Sequence, residues 1–255
     1  MTDEVVTIKP ICKYMKVFLA IISIVFLNNS IFSQDSTTVR DFEMWTSLSL
    51  EKSFLDKKLD IGINQEFRFN NNSTSLNNYF TEVEADYEIL KDLKVGAGYK
   101  FIRNNRNSGY RNEYRYNLDL GYKHSLDRLN FYYRFRFQQH NPFGNGPDND
   151  LTTKYRLRIK TKYNFRKWKL DPTFAFEGFF ASVRNEFNFV ESITETERVS
   201  GFEKIRFTLA TTYKINDLME LRGFYRVEHL FGSYPLQYNT PATIFIGGLN
   251  LTFKL

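Results

Sequence analysis

The sequence predicts an all-β protein: an antiparallel transmembrane β-barrel of about 10–12 strands that follows an N-terminal signal peptide. Apolar and polar residues alternate from Phe42 to the end of the chain, which is the pattern of strands with two different faces. Several alternating segments are much longer than the about five or six residues of an ordinary strand. The segments between them alternate between tight turns and longer polar stretches. Together these features favour a membrane barrel over other β folds.

The N-terminus has the pattern of an export signal. Two lysines precede an apolar run, Val17 to Leu27, that only Ser23 interrupts and that is shorter than the about 20 residues that a membrane helix needs. Ser33 is a small residue at which a signal peptidase could cleave. We therefore predict a cleaved signal peptide over residues 1–33, with Met15 as an alternative start, and a single barrel domain over residues 34–255.

Composition and export exclude several classes of function. The chain has 35 Lys and Arg against 29 Asp and Glu, but an exported protein seldom meets nucleic acid, so we expect no nucleic-acid partner. The single cysteine, Cys12, belongs to the predicted signal peptide, which leaves no disulfide. The segment GPDNDL lacks the ligand spacing of a calcium loop. We expect neither a metal nor a cofactor.

Period-2 alternation predicts eleven strands after the signal peptide. They are expected at residues 41–52, 57–70, 78–90, 93–104, 110–124, 127–140, 151–165, 167–182, 197–215, 218–231 and 242–255. Odd-numbered strands are followed by tight turns such as LKDL and SLD, and even-numbered strands by longer polar segments such as NPFGNGPDND and VRNEFNFVESITET. Outer-membrane barrels have short periplasmic turns and longer extracellular loops in the same way.

An odd number of strands conflicts with antiparallel closure, because the first and last strands would run in the same direction. We therefore expect either an additional strand, within residues 183–196 or before Phe42, or a first strand that stands outside a ten-stranded wall.

The segment KYRLRIKTKY, in the seventh strand, predicts which face of the sheet meets lipid. Its cations occupy alternate positions, and a Lys or Arg that faces lipid at mid-bilayer costs about 2–4 kcal/mol, so the cations must face the lumen. The same reasoning predicts a basic lumen wall on strands five to seven, formed by Arg111, Arg115, Arg134, Arg136, Lys154, Arg156, Arg158, Lys160 and Lys162. It predicts an acidic lumen face on strand three, formed by Glu82, Glu84, Asp86 and Glu88.

The segments FEMWTSLSLEKSF, LDIGINQEFRFN and YFTEVEADYEILKDLKVGAGYKFIRN resemble an uncharacterised outer-membrane family, domain of unknown function 2490, which is common in Bacteroidota. The resemblance covers essentially all of the chain after the signal peptide and implies a β-barrel in the outer membrane. It implies no activity, substrate or catalytic residue.

The chain ends in GGLNLTFKL, which is similar to the assembly signal of outer-membrane proteins. Gly248, Leu251 and Phe253 have matching spacing, whereas Leu255 replaces the usual terminal Phe. The resemblance implies that the barrel assembly machinery recognises the C-terminal strand.

The charged lumen leaves two functions open. Acidic and basic walls that interlock would make a plugged structural barrel, whereas walls that stay apart would line a narrow pore for small anionic or polar solutes. In both cases outer-membrane lipid is the expected partner.

Two alternatives belong to other classes. An outer-membrane hydrolase acting on lipid or peptide would use His140 or His229 as a general base, but Glu228 and His229 are adjacent and point to opposite faces of a regular strand. We assign no catalytic residue and expect no enzyme. A soluble periplasmic β-sandwich binding module would show the same alternation of apolar and polar residues.

Overall fold

A computed structural model describes residues 39–106, 109–142, 152–165, 170–189, 193–231 and 241–255. The predicted signal peptide lies outside these residues. Within these ranges there is no helix with the length and apolar character needed to cross a membrane.

The described residues form eleven strands that close into one barrel. The strands are β1 (Val39–Phe54), β2 (Leu59–Asn70), β3 (Ser75–Leu90), β4 (Leu93–Arg106), β5 (Gly109–Leu126), β6 (Leu129–Pro142), β7 (Thr152–Tyr163), β8 (Leu170–Phe189), β9 (Ile193–Lys214), β10 (Met219–Leu230) and β11 (Ala242–Lys254). Each strand pairs with its neighbours along the chain, and β1 pairs with β11. The predicted all-β barrel and its strand number are confirmed. The β-sandwich alternative is wrong, because a single sheet closes on itself.

The closure differs from the prediction of a fully antiparallel sheet. Strands β1 and β11 pair in parallel without interruption from Val39–Ala242 to Glu51–Lys254, so the sheet is mixed. The described residues of 183–196 belong to β8 and β9, and β1 belongs to the wall, so the predictions of an extra strand there and of a first strand outside the wall are wrong. The alternative of an extra strand before Phe42 concerns residues that, apart from Val39–Asp41 of β1, lie outside the described part of the chain. A parallel ladder satisfies the backbone groups of both strands, and closure by any ladder removes the exposed edges.

Several connections are shorter than predicted because strands extend into the polar segments. Strands β8 and β9 continue their pairing up to Phe189–Ile193, so most of VRNEFNFVESITET is strand. Asn71, Asn72 and Ser73 have positive φ angles and form a tight β2–β3 turn, a conformation that Asn tolerates better than most residues. Between the described strands, the longest connections are residues 143–151 and 231–241. We call the barrel end that contains both the loop end, and the opposite end the turn end.

The two faces of the sheet differ in character. On β7, Tyr155, Leu157 and Ile159 are 40%, 53% and 37% exposed, whereas the charged side chains between them are largely covered. Arg136 on β6 reaches Glu84 on β3 across two intervening strands. Since side chains of strands that are not neighbours can meet only inside a barrel, the charged face is the inner face.

Candidate functional site

The residues predicted to face the lumen lie at inner-face positions of β3, β5, β6 and β7. Their partners differ from the expected pairing of one acidic wall with one basic wall. Arg136 contacts the acidic residues of β3, whereas Lys154, Arg156 and Arg158 have carboxylate partners on β8 and β9. The inner face therefore contains two networks, one on each side of the barrel.

The first network joins β3, β4, β5 and β6 and is centred on Arg136, which is 5% exposed. Its Nε donates to Oδ1 of Asp119 at 2.6 Å, and its Nη2 donates to Oδ2 of the same carboxylate. The same Nη2 also donates to Oε1 of Glu84 at 2.8 Å. Beside it, Lys100 binds Glu82 with an Nζ–Oε2 distance of 2.7 Å. Arg136 thus compensates two carboxylates, as a planar fork of donors can.

Two glycines of β4 make room for this network. A Cβ atom on Gly98 would lie 2.9 Å from Nδ2 of Asn117 and 3.1 Å from Cγ of Glu84, and one on Gly96 would lie 3.3 Å from Cβ of Asp119. Side chains of β3 and β5 therefore pack over bare backbone. This gives the segment GAGY a structural role, which the sequence alone did not reveal.

The second network joins β7, β8, β9 and β10. Glu177 accepts from Arg156 at 2.6 Å and from Arg206 at 2.9 Å. Arg206 also binds Glu228 at 2.5 Å, and Lys204 binds the other oxygen of Glu228 at 2.7 Å. Both carboxylates are almost fully buried, and each has two cationic partners, which offsets the cost of removing them from water.

A β-bulge enlarges the second network. The register of β8 and β9 shifts between Phe179, which faces Lys204, and Phe180, which faces Phe202. Glu203 is left without an opposite residue, so it and the adjacent Lys204 both reach inner-face partners. Glu203 binds Lys154 at 2.6 Å. Because strict alternation would place adjacent residues on opposite faces, sequence patterning could not predict this pair.

Aromatic rings fill the inner face near the parallel seam. Trp45 on β1 is 5% exposed, and its Nε1 donates to Glu43 at 2.7 Å. The guanidinium carbons of Arg68 and Arg226 lie 3.6 and 4.7 Å from the Trp45 ring centroid, within the range of cation–π interaction. Trp45 also packs with Phe224 and other apolar residues. The rings and cations together close the space between β10 and β2.

Other predicted residues lie nearer the ends of the inner face. Arg115 contacts Nδ1 of His140 at 3.2 Å, and Lys162 binds Asp171 at 2.7 Å. Arg111 lies near the loop end of β5 and is half-buried. The acidic face of β3 extends through Asp86 and Glu88 toward the turn end.

The two candidate histidines, His140 and His229, lie on opposite faces and do not form a site together. His140 is inside the barrel, where its Nδ1 lies 3.2 Å from the Arg115 guanidinium and the charges that act on it most strongly are cations. His229 is on the outer face, where it contacts Oγ1 of Thr243 at 3.1 Å. The geometry therefore offers neither histidine the carboxylate partner that would orient a general base.

Nothing in the described part of the chain resembles a metal centre: no three His, Cys, Asp or Glu side chains are grouped to hold an ion. The segment GPDNDL falls outside the described residues.

The predicted assembly-signal residues all belong to the seam region. Gly248 lies opposite Trp45 and directly against the Phe224 ring, so a Cβ atom there would collide with both residues. Leu251 and Phe253 pair in register with β10. The N–H of Leu255 donates to the carbonyl of Glu51 at 2.8 Å and extends the seam by one hydrogen bond. Recognition by the assembly machinery stays a prediction.

Sequence reasoning missed the inner-face residues of strands outside β3 and β5–β7. They include Arg68, Lys100, Glu177, Glu203, Lys204, Arg206, Arg222, Arg226 and Glu228. The signal was present in most cases: in MELRGFYRVEHL, for example, Arg222, Arg226 and Glu228 share one face and Leu221 and Tyr225 the other. Applying the alternation rule to every strand would have found them, except at the bulge.

The family model described as Protein of unknown function (DUF2490) matches residues 42–239, which include most of β1, all of β2 to β10 and the connection that follows. A search of curated proteins found no significant match. Because the family model covers more than half of the sequence, this β-barrel chain belongs to the DUF2490 family of proteins of unknown function.

Proposed function

We propose that the chain is an integral outer-membrane β-barrel, exported through its N-terminal signal peptide, with membrane lipid around its outer face. One observation supports this above all: every strand presents an exposed large apolar residue to the outside. We call these residues the outer belt: Leu48, Ile63, Val83, Tyr99, Leu118, Phe135, Leu157, Phe174, Leu209, Tyr225 and Leu249.

The outer belt is continuous from strand to strand. Ile63, Val83 and Tyr99 are directly opposite one another on β2, β3 and β4. Phe174, Leu209 and Tyr225 form a similar row on β8, β9 and β10. Soluble monomers rarely expose apolar patches larger than a few hundred Å², whereas a belt that surrounds the molecule is what a bilayer requires.

Charge is kept away from the belt. Among the described side chains, charged residues on the outer face occur only near strand ends, as Lys52 and Arg103 do. Even the shortest strands have 12 residues, which exceeds the about 9–11 that a tilted transmembrane strand needs. Strand length and outer-face composition therefore agree with membrane insertion.

We further propose that the barrel is closed at mid-height, so that it is a structural element of the membrane and not an open pore. Arg136, Glu177, Glu228 and Trp45 are each no more than 5% exposed. Residues that line a water-filled channel would be open to solvent, whereas these side chains cover one another through ion pairs and ring contacts. The charged lumen is thus a plug of interlocking groups.

Two measurements test the proposal. The full chain should fractionate with outer membranes, require detergent for extraction, and migrate differently on gels with and without boiling. Recovery of the processed chain in the soluble periplasm would refute membrane insertion. In planar bilayers the folded protein should produce no current above background, and stable conductance steps would refute closure while leaving membrane insertion intact.

A further inference from the structure

Four basic side chains converge on the inner face in the turn-end half of the barrel. Arg134 on β6 and Arg158 on β7 are directly opposite in register. The charges that act most strongly on Lys160 on β7 are Arg158, Arg222 and Arg134. Arg158 is also the charge that acts most strongly on Arg222 on β10. We call Arg134, Arg158, Lys160 and Arg222 the turn-end basic cluster.

The turn-end basic cluster lacks close carboxylate partners. Nη1 of Arg134 is 3.8 Å from Oδ2 of Asp119, and Nε of Arg158 is 3.9 Å from Oε1 of Glu177. Both carboxylates are already bound more closely, Asp119 by Arg136 and Glu177 by Arg156 and Arg206.

The other two members of the cluster face rings. Among the described residues, Lys160 and Arg222 form no ion pair. Nζ of Lys160 lies 4.2 Å from the Tyr132 ring centroid, and the guanidinium carbon of Arg222 lies 5.5 Å from that of Phe224. Other inner-face lysines differ, since Lys154, Lys204 and Lys162 are each within 3 Å of a carboxylate.

Two donors of the cluster are covered and have no acceptor. The Nε atoms of Arg134 and Arg158 are buried and make no hydrogen bond, although burying an unpaired donor is costly. Their side chains as a whole are 18% and 25% exposed, so a small ion can still reach the guanidinium groups. Three guanidinium groups and one ammonium group that act on one another supply the charged donors that an oxyanion accepts.

We propose that the turn-end basic cluster binds a small dianionic oxyanion of the phosphate class, which enters the barrel from the turn end. Asp119 and Glu177 do not neutralise all four cations of the cluster, and a dianion would compensate the remaining positive charge. Because the barrel is filled at mid-height, the anion is held and not conducted. The inference goes beyond the proposed function: it rests on the inner-face geometry and does not require that the barrel resides in a membrane.

The test uses the full chain folded in detergent and inorganic phosphate as the probe. Calorimetric titration should show saturable binding of one phosphate per chain, retained when chloride keeps the ionic strength constant. Lys160→Gln and Arg222→Gln should each weaken binding by about tenfold or more, as expected for loss of a charged hydrogen-bond donor. Lys214→Gln is the matched control, because Lys214 is near the same end, is 58% exposed and pairs with Asp217 outside the cluster. It should change the affinity less than about twofold.

Three results would overturn the proposal. The first is that the wild-type protein shows no saturable phosphate binding. The second is that chloride at equal ionic strength abolishes the binding. The third is that Lys214→Gln weakens the phosphate affinity as much as the cluster variants do. Boiling-dependent gel mobility shows whether each variant folds. If a variant does not fold, the wild-type comparison of phosphate with chloride still decides the question. Membrane fractionation is a separate measurement, so failure of anion binding and failure of membrane insertion cannot be confused.

Discussion

Placing a charge on the outer belt would distinguish a membrane barrel from a soluble one. Leu157 lies near the middle of the 12-residue strand β7 and is 53% exposed. Its cross-strand neighbours are Phe135 on β6 and Gly178 on β8, so the outer face around it has space for a longer side chain but offers it no carboxylate. Leu157→Arg should therefore fold without a steric clash, and its cost should depend on what surrounds the outer face.

The expected cost follows from the depth of the substitution. An Arg that faces lipid near the midplane destabilises a barrel by about 2–4 kcal/mol, or roughly 30- to 900-fold in the unfolding equilibrium constant. Thr161→Arg is the matched control on the same face of the same strand. It is four residues nearer the turn end, about 13 Å along the strand, where the cost should fall to about 0–1 kcal/mol.

The measurement is equilibrium unfolding in denaturant of the full chain inserted in phospholipid vesicles, followed by gel mobility without boiling. Leu157→Arg should lower the transition midpoint while leaving its slope unchanged, and Thr161→Arg should have little effect. If the outer face met water, both substitutions would stay within about 0.5 kcal/mol of the wild-type protein. Equal effects of the two variants would therefore refute the assignment of the outer belt to lipid.

Three further predictions concern the inner face and the seam. Gly248→Ala should destabilise the barrel by about 1–3 kcal/mol through overpacking, because its Cβ would lie 2.7 Å from the carbonyl oxygen of Trp45. Gly178→Ala is the control, since a Cβ there meets nothing within 4 Å and should not destabilise the barrel. Equal unfolding midpoints of the two variants would contradict this prediction. Arg136→Met should lower the free energy of unfolding by about 3–5 kcal/mol, because it leaves buried carboxylates without their partner. In a double-mutant cycle, adding Asp119→Leu should recover part of that stability. Strictly additive losses would argue against an interaction between Arg136 and Asp119. Leu255→Phe restores the usual terminal residue of the assembly signal and should raise the yield of folded protein in cells. It should not change unfolding in vesicles, because the Leu255 side chain is 70% exposed. An unchanged yield would argue against recognition of this residue by the assembly machinery.

Local alternation was sufficient to predict most of the barrel. In segments such as KYRLRIKTKY every second residue has the same character, and a strand places every second side chain on the same face. The positions of the eleven strands, and the face on which each predicted charge lies, follow from this local rule. Connections were predicted less well, because residues such as Asn71 and Asn72 suit both a loop and a tight turn with positive φ.

Properties that depend on contacts distant in sequence could not be predicted in this way. The parallel β1–β11 seam joins residues about 200 positions apart, and nothing in either strand alone states which strand it will meet. The partner of each charge is equally hidden, since Arg156 could have paired with Glu84 but instead binds Glu177.

The sequence by itself determined that the chain alternates into long two-faced strands, because strand geometry is a local property of the backbone. Only the tertiary structure decided how the odd strand number closes, which acids neutralise which bases, and that Lys160 and Arg222 form no ion pair within the described residues. Those outcomes depend on the curvature of the closed sheet and on the bulge at Glu203, which bring side chains of distant strands into one space.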